Sequence, residues 1–195
     1  MNPDTPLHTF RLTEQAAIAR ASPWNHEPVT LDSPAIRVMT DLSRIKAATI
    51  DPRQSLREAE QNMLYLGVRM LFVVSAMPRL EGVITTVDLH GEKTLQRVSE
   101  RMVGRDELRV ADLMTPLYEL EAVDLDELKR ARVGNLIATL KRHGRNHLLA
   151  VQCEPDGMRM VRGVVSRAQI ERQLGKPVQI DEIADSFAEI ERALI

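Results

Sequence analysis

Three stretches of this chain occur twice, in the same order. "VMT" at 38–40 returns as "LMT" at 113–115, "YLGVRMLFVV" at 65–74 as "RHGRNHLLAV" at 142–151, and "GVITTVDL" at 82–89 as "GVVSRAQI" at 163–170. A repeat of this length is one supersecondary unit that cannot cover its own apolar face, so two copies must bury those faces against each other. The separation between copies grows along the unit through small insertions. The last lies at "EPDG", 154–157, where Pro, Asp and Gly supply the turn of a hairpin.

Each copy reads as β-α-β-β-α. In the first, "ATI" at 48–50 is extended, and "SLREAEQNMLYLG" is a helix with a Ser55–Glu58 capping box and Gly67 at its stop. Leu56, Ala59, Met63 and Leu66 form the expected buried stripe. "RMLFVVS" and "GVITT" are β-branched and apolar enough for two strands, with a second helix from about Val87. In the second copy "EAV" is extended, and Asp124 and Glu127 begin one longer helix carrying Leu128, Leu136, Ile137 and Leu140 up to Gly144. Two strands and a closing helix follow. The expected fold is therefore α/β (α+β), two such units packed as a pseudo-two-fold pair. Residues 1–35 form an N-terminal arm, 36–108 the first unit and 109–175 the second. A C-terminal amphipathic helix at 176–195 carries Ile183, Ala184, Phe187, Ile190 and Leu194 on one face. Half of the ten prolines lie in the first 37 residues, which suits an arm lying over the surface.

Composition narrows the function classes. Lys and Arg number 26 against 28 Asp and Glu, and the aromatics are one Trp, two Tyr and three Phe, so neither the basic surplus nor the stacking platforms of a nucleic-acid binder are present. Cys153, the single cysteine, excludes an intramolecular disulfide framework and makes a reducing, cytoplasmic setting the expectation. It sits at a strand end beside the turn and reads as a packed or idle thiol. No apolar run approaches the roughly 18–20 residues of a membrane span, and "MNPDTPLHTF" lacks the basic start of a signal peptide. No nucleophile elbow or Gly-rich phosphate loop occurs, and the expected helix end at Gly144 breaks the i, i+4 spacing of His143 and His147. No catalytic set, metal site or catalytic cofactor is expected, and the chain reads as something other than an enzyme.

"DLMTP" followed by a doubled Gly-apolar-apolar-Thr/Ser-x-x-Asp/Gln sentence resembles a tandem pair of cystathionine-β-synthase-type (CBS) domains, the Bateman module, over roughly residues 36–175. The resemblance implies a regulatory module that binds an adenosine-containing ligand (AMP, ADP, ATP or S-adenosylmethionine) between its units and associates as a homodimer. A protein partner would read the C-terminal helix; neither nucleic acid nor membrane is implied. Carried over by position, Thr85 would meet phosphate and Asp88 the ribose, with Ser166 and Gln169 in the matching places. Arg69 and His147 would lie near phosphate, and Thr49 with Ile50, and Ala122 with Val123, would bracket the adenine.

The spacing of both corners fits a second reading equally: Thr85 with Asp88, and Ser166 with Gln169, are also helix capping boxes. Phe72 and Leu149 stand where the family usually has proline, and the Asp-to-Gln change makes the two clefts non-equivalent, since an amide accepts a hydroxyl without a carboxylate's charge. The alternative function is accordingly a dimerising scaffold with a degenerate cleft, regulating a separately encoded enzyme or transporter.

Overall fold

The computed structural model describes residues 27–180 and contains, in chain order, β1 Met39–Asp41, β2 Thr49–Ile50, α1 Leu56–Leu66, β3 Met70–Val73, β4 Gly82–Thr85, α2 Thr86–His90, α3 Glu92–Arg101, α4 Val110–Leu113, β5 Thr115–Pro116, β6 Ala122–Asp124, α5 Leu125–Arg130, α6 Val133–Arg142, β7 His147–Cys153, β8 Arg159–Ser166 and α7 Arg167–Leu174. Of the C-terminal helix expected at 176–195, residues 176–180 are described and are not helical, and the rest lies outside the described residues, as does most of the N-terminal arm.

Local chemistry sets the helix ends. At α1 the Ser55 hydroxyl accepts the Glu58 amide at 3.2 Å and the Glu58 carboxylate accepts the Ser55 amide at 2.7 Å, which satisfies two donors that a helix start leaves unpaired. Gly67 closes the helix in the left-handed region at φ 65°, and the Val68 amide then reaches back to the Met63 carbonyl at 3.0 Å. This closure carries Val68 onto the core and leaves Leu66 half exposed, which removes Leu66 from the expected stripe of Leu56, Ala59 and Met63.

The single long helix expected after Asp124 is two helices. Asp124 does cap the first, accepting the amides of Asp126 and Glu127 at 2.8 and 3.2 Å. The chain then turns extended at Ala131 and Arg132, because residues 31–35 lie against the break. Ala35 donates to the Ala131 carbonyl, Val133 to Ser33 and Gly134 to Leu31, each at 2.9 Å. Backbone pairing from a distant segment thus outweighs the local helical preference.

Two four-stranded sheets result, ordered β2-β3-β4-β5 and β1-β8-β7-β6. Each Met-Thr segment crosses over: β1 pairs with β8 of the second copy, and β5 with β4 of the first. The division into 36–108 and 109–175 therefore does not coincide with sheet membership. The crossings are equivalent, Thr40 opposite Val164 and Thr115 opposite Val83.

Side chains alternate between two interiors even where all are buried. Leu71, Val73 and Ile84 face the helices of the first copy; Leu148, Ala150 and Val165 face those of the second. Met70, Phe72, Val83 and Leu149 point the other way and form one cluster between the sheets, joined by Val164. The two units bury their sheet faces on each other, and Phe72 and Leu149 fill that junction at 6% and 5% exposure.

Candidate functional site

The junction opens into a cleft where the Thr85 corner of the first copy faces residues 144–149 of the second. Its lining includes Thr85, Val87, Asp88, Thr115, the loop 119–121, Arg145 and His147. β4 runs directly into α2 here, and register places Met70 opposite Thr85 as it places His147 opposite Ser166 in the other copy.

The corner is a closed capping box. Thr85 donates both its amide and its hydroxyl to Asp88 Oδ2, at 2.8 and 2.7 Å, and its Oγ1 accepts the Asp88 amide at 3.3 Å. The Thr86 amide is bonded to the Arg69 carbonyl at 3.1 Å. Asp88 keeps Oδ1, which lies 3.5 Å from Lys93 Nζ, and its side chain is 14% exposed. A hydroxyl-bearing ligand would find an acceptor there; a phosphate would find three corner amides already engaged.

Charge in the lining is mixed. His143 Nδ1 contacts the Glu121 carboxylate. Burial pushes the His147 imidazole down to about 4; nearby Arg69 adds to this and Asp88 opposes it. His147 is therefore neutral at pH 7, with one ring nitrogen donating and the other accepting.

The second corner is built differently. Ser166 Oγ accepts the Gln169 amide at 3.2 Å, but Gln169 does not reach back. Its side chain is 6% exposed and turns to α7, donating to Gln173 Oε1 at 3.2 Å and accepting from Arg172 at 2.8 Å. Gln173 in turn donates to the carbonyls of Glu27 and Arg37, both at 3.3 Å. One extra methylene and a donor amide let Gln169 join a buried network that ties down the chain ahead of β1.

The remaining candidates are dispersed. Thr85, Asp88 and His147 share the cleft, whereas Ser166 and Gln169 are outside its lining. Arg69 is exposed, close enough to His147 to influence its charge. Ile50 is in the core of the first copy and Val123 packs on that of the second, while Thr49 and Ala122 are exposed. Cys153 is exposed, with its Sγ 3.8 Å from the Glu154 carbonyl, so it is not packed, because strand β7 carries it beyond the sheet's covered part. Glu119, Glu121 and Arg145 belong to no motif of the sequence. For the two glutamates the repeat carries a signal: Leu42 donates to the Arg162 carbonyl as Leu117 donates to that of Glu81, so the loop after Leu117 mirrors the loop after Leu42.

Among the described residues no three His, Cys, Asp or Glu side chains are placed to hold a metal, and no helix is long and apolar enough to cross a membrane.

No family model matches the chain, and no curated protein matches it. Solved structures do. An uncharacterized conserved protein from Pyrococcus horikoshii is 19% identical at a TM-score of 0.54, over 77% of this chain and 98% of its own. CBSX2, solved in complex with AMP, is 20% identical at 0.50, over 72% and 94%. The CBS domain of a bacterial CNNM/CorC family Mg2+ transporter, in complex with the inhibitor IGN95a, is 18% identical at 0.50, over 76% and 81%. With its duplicated β-α-β-β-α units, exchanged Met-Thr strands and shared sheet-to-sheet core, the chain has the fold of a tandem CBS-domain pair.

Proposed function

We propose that the chain is a regulatory module that takes an adenosine-containing ligand, in the AMP, ADP, ATP or S-adenosylmethionine class, in the cleft between its two units. The observation that carries this reading is the meeting of Asp88 from one copy with residues 144–149 from the other across a single opening. A ligand there touches both halves, so its binding energy depends on how they are set against each other, which is what a regulatory module requires. CBSX2, similar in fold, holds AMP. Asp88 Oδ1 suits a ribose hydroxyl, and neutral His147 and Val87 offer flat and apolar surface to a base. In this reading the module works in the cytoplasm as a homodimer and passes the ligand signal to a partner protein, without catalysing a reaction.

The test is thermal melting of the full chain with adenosine, AMP, ATP and S-adenosylmethionine. At 100 times its dissociation constant a ligand adds about 2.7 kcal/mol of stability. Asp88→Ala should abolish that gain while lowering the ligand-free protein by only about 1 kcal/mol, the cost of a lost cap. A second reading, a scaffold with a degenerate cleft, is favoured by the mutual saturation of Thr85 and Asp88. Silence across the whole panel would establish it over the first.

A further inference from the structure

The two copies differ in the charge they bring to equivalent loops. Leu42 and Leu117 make equivalent backbone bonds just after the crossing strands. Between that bond and the next strand, the loop after Leu42 carries Arg44 and Lys46, whereas the loop after Leu117, two residues shorter, carries Glu119 and Glu121. The loop that borders the cleft is therefore acidic where its twin is basic. Among the described lining residues the fixed charges are Asp88, Glu119 and Glu121 against Arg145; Asp88 is paired with Lys93, so the acidity of the opening rests on Glu119 and Glu121. The helix start beside them offers little compensation, since three of its amides, those of Thr85, Thr86 and Asp88, are bonded within the protein.

We infer that this cleft selects its nucleoside ligand by charge, admitting an uncharged or cationic nucleoside and rejecting polyphosphate through Glu119 and Glu121. The inference rests on the cleft being a nucleoside site. A triphosphate carries several negative charges past the exposed Glu119 and Glu121 carboxylates at the rim of the cleft, where like charges repel most strongly at low salt. A nucleoside with a sulfonium or amine brings the opposite sign. Neutral His147 supplies no counter-charge at pH 7.

Calorimetric titration of the full chain with adenosine, AMP, S-adenosylmethionine and ATP, without magnesium and at low salt, tests this directly. S-adenosylmethionine and adenosine are expected to bind, AMP more weakly, and ATP at least ten-fold more weakly than adenosine. Raising the salt should narrow that gap. The double variant Glu119→Arg, Glu121→Lys, which gives this loop the charge of its twin by changing exposed side chains only, should bring ATP to within about three-fold of adenosine. ATP binding the native chain as tightly as adenosine would overturn the charge inference and leave the nucleoside site standing. Weak ATP binding that the double variant leaves unchanged would also overturn it. Failure of every ligand on a chain that melts normally would remove the nucleoside site itself, and the inference with it.

Discussion

Gly82 lies so close to Thr115 that a Cβ on it would stand 2.3 Å from the Thr115 carbonyl oxygen. The equivalent Gly163 meets not backbone but the Met39 side chain, at 2.2 Å from sulfur. Both glycines sit where a Met-Thr strand from the other end of the repeat crosses, which explains why each copy's last strand carries a Gly, at the start of β4 and in the middle of β8, in a run otherwise rich in β-branched residues.

The two contacts differ in how far they can give. Gly82→Ala must displace a paired strand and should cost about 3 kcal/mol or more, whereas Gly163→Ala need only move a flexible thioether and should cost about 1–2 kcal/mol. Urea unfolding of both variants measures this. Met39→Ala should recover most of the Gly163→Ala loss and none of the Gly82→Ala loss, a difference that a double-mutant cycle reads without reference to absolute values.

Phe72 and Leu149 show how much of the fold could be read from residues alone. Periodicity and capping placed the strands and α1, because those signals are local and the Ser55–Glu58 and Gly67 chemistry acts within a few residues. The duplication correctly required face-to-face packing, and the two bulky residues fill that junction. What escaped was non-local. The break at Ala131 depends on Ser33 and Leu31 a hundred residues away, and nothing near Ala131 announces it. The cleft was legible in part: Thr85 and Asp88 stood out as a motif. Gln169 looked equivalent by position, yet its direction was decided by partners on α7 and in the segment before β1. Glu119 and Glu121 lie in a loop without periodicity, where only the comparison with Arg44 and Lys46 carries information.

His147 gives the fold a pH dependence of its own. Its folded value is held at about 4 by burial and by Arg69, against an ordinary 6.5. The unfolded chain therefore takes up the proton first, so the folded state loses stability as pH falls from about 6.5 to about 4. The full span corresponds to roughly 3 kcal/mol. Denaturant midpoints measured at pH 7, 6 and 5 should fall progressively in the native chain and much less in His147→Gln. Asp41 and Glu171 have lowered values as carboxylates, so their contribution is lost only at lower pH, below the usual carboxylate range, and does not mask the histidine. Equal slopes in both proteins between pH 7 and 5 would show that His147 titrates normally and is not desolvated.

Gln173 holds the segment that precedes β1, and its removal should loosen that segment before anything else. The residue is 4% exposed; its amide donates to the Glu27 and Arg37 carbonyls, and its oxygen accepts from Gln169. Truncation in Gln173→Ala leaves those groups without this partner in a buried site, at a cost of about 2–3 kcal/mol. Gln173→Glu keeps the volume but replaces the donor with an acceptor, so it should be at least as damaging, which separates hydrogen bonding from packing. The same segment supplies the Ser33 and Leu31 carbonyls that receive the amides of Val133 and Gly134. Hydrogen exchange should therefore accelerate at Ala35, Val133 and Gly134 in both variants, while Leu71 and Ile84 in the first sheet stay protected. If protection instead fell evenly across both sheets, the segment would be an integral part of one cooperative unit and not a strap fastened by Gln173.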